Sequence, residues 1–227
     1  EKSAGMITYY AEAENVLKPE NIKTEYDVSE VHYDPMGIIL GVMPWNFPFW
    51  QVLRFAIPTI LAGNVVVLKH ASICFESGDE IENAFSEAGF PKNIFQNLRI
   101  GHNEIQEILE NPLVRGVSLT GSEKAGGTVA ALAGKNIKKS VLELGGSDAF
   151  IVLEDSDFEK AAKEGPWAKL QNTGQICNAA KRFIVHKKIE KEFVPKFIEE
   201  YSSYQPADPM KKETRLGKMA RPDLADD

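Results

Sequence analysis

Apolar and polar positions along the chain resolve into short, uninterrupted apolar runs separated by longer segments with helical spacing. The run G-I-I-L-G-V-M (37–43) is apolar throughout, the pattern of a strand covered on both faces. The same reading predicts strands at N-V-V-V-L-K (64–69), I-F-Q-N-L (94–98), V-R-G-V-S-L-T (114–120) and K-K-S-V-L-E-L (138–144). Helices are predicted over 49–62, 73–88 and 103–110, and from G-S-E-K-A-G-G to about Ala133. Gly63, and Gly89 followed by Pro91, supply the stop signals. P-W-N-F-P-F-W (44–50) cannot continue the first strand, because its prolines withhold backbone donors and fix the backbone angle. A helix over 1–15 and a short polar strand at 30–34 come before this series. After it the rhythm resumes with strands at 149–153 and 182–186 and helices over 157–170 and 190–204.

Strand and helix in alternation predict an α/β protein, a Rossmann-like parallel sheet with crossover helices followed by a second α/β domain. The glycine pair Gly145-Gly146 is the candidate boundary, dividing the chain into 1–145 and 146–227. There is no internal repeat, low-complexity tract or long linker.

Composition narrows the partners. The 227 residues carry a net charge of -7 and no basic stripe, which argues against nucleic acid and acidic membrane surfaces and for a small molecule. The two cysteines, Cys74 and Cys177, lack metal-type spacing, so neither a disulfide framework nor a metal site is expected, and a reducing, cytoplasmic setting follows. No apolar run has the length of a membrane span, and no signal peptide is expected. The chain starts at Glu1 and stops within R-P-D-L-A-D-D, which suggests an excerpt of a longer protein.

Five features carry candidate chemistry, each with a plain structural alternative. T-G-S-E-K-A-G sets Gly121 and Gly126 around a helix start with Ser122 as N-cap. Such a turn cradles phosphate through free amides and the helix dipole, or is simply tight. Lys69 closes a strand at the sheet edge where ligands bind in open parallel sheets, or is a solvated lysine leaving the strand. Asn46, among rigid and apolar neighbours, offers an amide donor for an oxyanion, or a structural turn contact. Glu143 ends an apolar strand, where burial raises a carboxyl toward the working range of a general base, or it faces outward at an edge. Cys177 follows the polar turn N-T-G-Q-I, open to a substrate and to pKa-lowering amides, or is inert. His186, nine residues on and closing a strand, is a poor partner for a cysteine hydrolase pair.

Taken together, these motifs resemble the NAD(P)-dependent aldehyde dehydrogenases. P-W-N-F-P (44–48), L-A-G-N-V-V-V-L-K (61–69), G-S-x-x-x-G (121–126), L-E-L-G-G (142–146) and N-T-G-Q-I-C (172–177) occur in that family's order and spacing. The resemblance implies an aldehyde dehydrogenase fold incomplete at both ends, with 1–145 binding the nucleotide and 146–227 opening the catalytic domain. It implies Cys177 as nucleophile, Glu143 as general base, and Asn46 with the Cys177 amide as oxyanion donors. Ser122 is implied near the pyrophosphate and Trp45 and Lys69 near the adenosine, with Pro44, Gly121, Gly126 and Leu144 completing the cofactor set. Ser72 stands where NAD-selective members carry a glutamate, so NADP is expected to be accepted alongside or ahead of NAD. W-Q-V-L-R-F (50–55) and A-A-K-R-F-I-V (179–185) are most similar to the succinate-semialdehyde dehydrogenase branch. There Arg54 is implied to hold the distal carboxylate, while Gln171 replaces a second arginine, which leaves room for a broader aldehyde range. The family also implies a homodimer or homotetramer. A cysteine-dependent hydrolase or thioesterase, and a cofactor-binding protein without activity, are the rival readings. The first has no use for Lys69 or the 121–126 turn, and the second tolerates loss of Cys177.

Overall fold

The structure, a computed structural model, describes residues 1–13 and 16–225. It divides into two compact units, Glu1–Leu144 and Gly145–Asp227. The first opens with helix α1 (Lys2–Glu12). Positions 14 and 15 of the helix expected over 1–15, and the last two residues of R-P-D-L-A-D-D, lie outside the described residues. The polar strand expected at 30–34 is shorter, β2 (Glu30–Val31), paired antiparallel with β1 (Glu20–Asn21). All four residues are exposed, so no apolar face extends the pairing.

The centre of this unit is a five-stranded, fully parallel sheet of β3 (Ile38–Met43), β4 (Val65–His70), β5 (Phe95–Asn97), β6 (Val114–Thr120) and β7 (Lys139–Glu143), in the order β5-β4-β3-β6-β7. Its helices are α2 (Trp50–Leu61), α3 (Phe75–Glu87), α4 (Ile105–Glu110) and α5 (Glu123–Lys135). Strand alternation sorts the core into two clusters. Leu40 and Val42 point to one face, where Val117, Leu119, Ile105, Leu109 and Val129 gather. Met43 points to the other, with Val52, Ala56, Val66, Leu68, Ile81 and Phe85. Full burial of aliphatic side chains such as Leu40 and Leu68 contributes about 1.5–3 kcal/mol each. Gly41 is where α2 comes closest, since a Cβ there would lie 2.6 Å from Phe55 Cε1. Helix α2 stops at Gly63, whose φ of 81° suits glycine and whose N–H donates to Ile60 O.

The second unit is built on a parallel pair, β8 (Asp148–Val152) and β9 (Ala180–Val185), with α6 (Phe158–Leu170) and α7 (Glu190–Ser202) packed on it. Val152, Ala162, Ile189 and Phe193 form its core, extended by Phe183 and Phe197, with ring centroids 4.8 Å apart. Among the described residues no helix is long and apolar enough to cross a membrane, and no group of three or more His, Cys, Asp or Glu side chains forms a candidate metal site.

Candidate active site

In a parallel sheet every loop that follows a strand emerges on the same edge, so the fold gathers residues distant in sequence. Pro44, Trp45 and Asn46 follow β3, Lys69 is the last residue but one of β4, and Ser72 lies just beyond that strand. Gly121 and Ser122 follow β6, while Glu143 ends β7 and Leu144 follows it. β3 and β6 are neighbours although the chain leaves β3 toward β4 and β5 before crossing to β6 and β7. That reversal opens a crevice at the strand ends, the general ligand position in open α/β sheets. The 44–48 turn and the 121–126 turn flank it.

Ser122 is the N-cap of α5, and its Oγ accepts from Ala125 N–H at 3.3 Å. Gly126 has a different reason to be glycine: a Cβ there would sit 2.5 Å from Leu144 Cδ2. Its small size seats α5 on the end of β7. Gly121 is less crowded, since a Cβ there would meet nothing closer than Leu119 Cδ2 at 3.6 Å. Lys69 is not a solvated lysine, since only 2% of it is exposed. Its Nζ lies 3.4 Å from His102 Nδ1, and among the described residues it forms no ion pair. Burial lowers its pKa, partly opposed by Glu104. A buried ammonium without an ion pair among the described residues, beside an exposed Ser72, is a donor set suited to ribose hydroxyls or a phosphate.

Residues 70–74 also hold the turn that carries Asn46, a role unseen in the sequence. His70 is fully buried. Ala71 N–H donates to its Nδ1 at 2.9 Å, which leaves the proton on Nε2 to donate to Pro48 O at 3.1 Å. Ala71 N–H also reaches Met43 O at 3.0 Å, and Cys74 Sγ lies 3.8 Å from Trp45 O. Three carbonyls of 43–48 are thus fastened to the end of β4, and Asn46 is half-buried between them. Burial depresses the pKa of His70 below its ordinary value, against the pull of its carbonyl partners. Below pH about 6.5 the unfolded chain therefore binds a proton that the folded chain resists. This part of the stability is present above pH about 6.5 and lost as pH falls toward the folded-state value. Urea midpoints at pH 7.5 and 5.5 should show a larger loss in wild type than in His70→Gln; equal losses would refute the assignment.

Of the two alternatives for Glu143, buried base or outward-facing edge residue, the structure has the second. Its side chain is 54% exposed at the end of the edge strand β7, because Lys139, Val141 and Glu143 share a face that is open there. Arg54, on α2, brings its Nη2 within 3.9 Å of Glu143 Oε2. The structure thereby brings together two candidates separated by almost ninety positions. The pair is loose and half-solvated, so it contributes little to stability.

In the second unit, Gln171 is exposed where α6 ends. The chain then takes three left-handed residues in succession, Asn172 (φ 49°), Thr173 (φ 59°) and Gly174 (φ 77°). For a β-branched threonine this conformation is costly and is found where a site requires a particular turn. Cys177 follows as a free, exposed thiol. Gly146 lies against its backbone, since a Cβ there would be 3.3 Å from Cys177 O. Two neighbours missed from sequence complete this loop. Arg182 Nε donates to Ser147 O at 2.9 Å, and Lys181 Nζ donates to Cys177 O at 2.7 Å. Their adjacency in A-A-K-R was the available signal. A shallow recess between α6 and α7, lined by Trp167, Tyr204 and Arg215 among others, contains none of the candidate residues.

A sequence profile of the aldehyde dehydrogenase family matches residues 1–227, the whole chain. A Synechocystis protein described as a probable NADP(+) succinate-semialdehyde dehydrogenase is 45% identical over 227 residues, covering 100% of this chain and 50% of that protein. The Escherichia coli K12 NAD(P)+ succinate semialdehyde dehydrogenase Sad is 42% identical over 227 residues, covering 100% of this chain and 49% of that protein. The solved structure of succinic semialdehyde dehydrogenase from Streptococcus pyogenes with NADP+ superposes with a TM-score of 0.86 at 37% identity, over 95% of this chain and 46% of that one. The structure of Gox0499, studied for its cofactor and substrate selection, superposes with a TM-score of 0.96 at 38% identity, over 99% of this chain and 49% of that one. The chain thus spans about half the length of the relatives it matches. With the profile matched from end to end and the doubly wound sheet shared with solved members, the chain belongs to the aldehyde dehydrogenase family.

Proposed function

We propose that the whole protein oxidises succinate semialdehyde to succinate with NADP+, using Cys177 as the nucleophile. The observation carrying this reading is that Asn46, Lys69, Ser122 and Glu143 share the carboxyl edge of one parallel sheet, in a chain whose Cys177 is exposed on its own turn. Residues 1–145 then form the cofactor-binding domain and 146–227 begin the catalytic domain. Ser122 and Gly121 hold the pyrophosphate at the start of α5. Lys69 and Ser72 take the ribose and its 2'-phosphate, and Pro44, Trp45, Gly126 and Leu144 line the same crevice. Relatives that use NADP support this choice of cofactor, and Ser72 adds no charge to repel the phosphate.

In the reaction the Cys177 thiolate attacks the aldehyde carbon, forming a thiohemiacetal. The Asn46 side-chain N–H and the Cys177 backbone N–H stabilise the charge that develops on its oxygen. When bound, NADP+ would supply a hydride acceptor, the oxidant needed for this adduct to become a thioester. Glu143 takes a proton from water, the water attacks the thioester carbon, and succinate leaves as the thiol is restored. Arg54 offers a planar donor fork for the distal carboxylate, and Gln171 offers a neutral hydrogen-bonding group in place of a second charge.

The test is absorbance at 340 nm with the whole protein, each cofactor, succinate semialdehyde and an uncharged aldehyde of similar length. NADP+ should give the higher kcat/KM. Arg54→Leu should raise KM for succinate semialdehyde about 10-fold to 100-fold, the worth of a charge-assisted hydrogen bond, and leave the uncharged aldehyde within about twofold. Equal losses for both substrates would remove Arg54 from carboxylate recognition.

A further inference from the structure

We propose that Lys181 is a positioning residue for the nucleophile, holding the 176–179 backbone and polarising the peptide whose N–H serves as oxyanion donor. This rests on the reading of Cys177 as the nucleophile. Lys181 Nζ donates to Ile176 O at 3.1 Å, to Cys177 O at 2.7 Å and to Ala179 O at 3.2 Å. An ammonium has three N–H donors, and these carbonyls match all three.

The Ile176 contact has the sharpest chemical consequence. Ile176 C=O and Cys177 N–H are the two ends of one peptide group. A charged donor on the oxygen draws electron density from the nitrogen and makes the N–H a stronger donor, the usual cooperativity of linked hydrogen bonds. The same contact sets the direction in which that N–H points. Neither neighbouring element could do this alone, because the chain before the loop is the left-handed stretch Asn172–Gly174 and the ladder of β9 begins only at Ala180. Lys181 is anchored in β9 and reaches back over four residues, with Ala179 and Ala180 buried beneath it.

Among the described residues, Asp148 and Arg182 also flank this loop. Asp148 Oδ1 and Cys177 O approach the same side of Gly146, at 3.2 Å and 3.3 Å from where a Cβ would stand. Arg182 is turned to Ser147 O.

The experiment compares Lys181→Met, Lys181→Gln and Lys181→Arg with wild type in the whole protein. Aldehyde-dependent NADPH formation is followed at 340 nm, and iodoacetamide alkylation of Cys177 at one pH by mass spectrometry of its peptide, which separates it from Cys74. Lys181→Met should lower kcat roughly tenfold with KM within about twofold, since a donor is weakened and not deleted, while alkylation, which develops no oxyanion, stays within about twofold. Lys181→Arg should recover most of kcat. If Lys181→Met fails to fold, Lys181→Gln carries the test, having a donor but no charge. An unchanged kcat in the folded neutral variant, or a fall in alkylation as large as the fall in kcat, overturns the proposal. Aldehyde oxidation that survives Cys177→Ser would instead overturn the nucleophile reading.

Discussion

Cys177→Ala is expected to lower kcat for NADPH formation by on the order of 10⁴-fold or more, with NADPH binding followed by fluorescence unchanged. The effect is large because nothing nearby replaces the thiol. Cys74, the other cysteine, is buried in the first unit with a pKa raised by burial, so it is poorly suited to form a thiolate. Cofactor binding should persist because Lys69, Ser72 and Ser122 belong to a different compact unit. The same measurement separates the rivals. A cofactor-binding protein without activity would show no aldehyde-dependent signal even in wild type. A cysteine hydrolase would hydrolyse an ester without nucleotide and lose that activity in the variant. NADPH formation that survived the substitution would end the covalent mechanism.

Glu143→Gln should divide the reaction in two. The thioester still forms, so one NADPH per site should appear in a burst, and the steady-state rate should then fall about 10²-fold to 10⁴-fold, the usual worth of a general base. Rapid-mixing absorbance at 340 nm reads both phases, and mass spectrometry should find the succinyl group on Cys177. The exposed setting of Glu143 means that the unit containing it does not supply the desolvation expected of a poised base. Its ion-pair partner, Arg54, stands 3.9 Å away. A slow steady state without a burst would move Glu143 to an earlier step, and an unchanged rate would remove it from the mechanism.

Most elements were legible because apolar periodicity and turn chemistry agreed. β3 and residues 65–68 of β4 are apolar runs, β6 carries valine or leucine at 114, 117 and 119, and each of the three strands lies inside the sheet with partners on both sides. α2 and α3 end beside Gly63 and Gly89, both at positive φ, and Ser122 caps α5 as its type and position suggest. The polar 30–34 segment was harder, since without an apolar face little sets the length of a strand. Burial was the least legible quantity. Lys69 is hidden, against its reading as a solvated lysine, whereas Glu143 is exposed, as its outward-facing alternative has it. Lys69 is in β4, flanked by β3 and β5, whereas Glu143 ends an edge strand. Strand order, which local sequence does not carry, decides between those outcomes.

By itself the sequence determined the alternation of strands and helices, the turns at which they break, and the residue types able to do the chemistry, because these depend on neighbours a few positions apart. Tertiary structure alone decided which of those residues meet. Parallel pairing of β3 with β6 brings the 44–48 and 121–126 turns to one edge. The placement of α2 brings Arg54 to Glu143 at the end of β7, and the reach of Lys181 back from β9 ties down the Cys177 turn. Each of these contacts depends on sheet order and packing over long stretches of chain, or on a turn whose left-handed path no helical or strand period predicts.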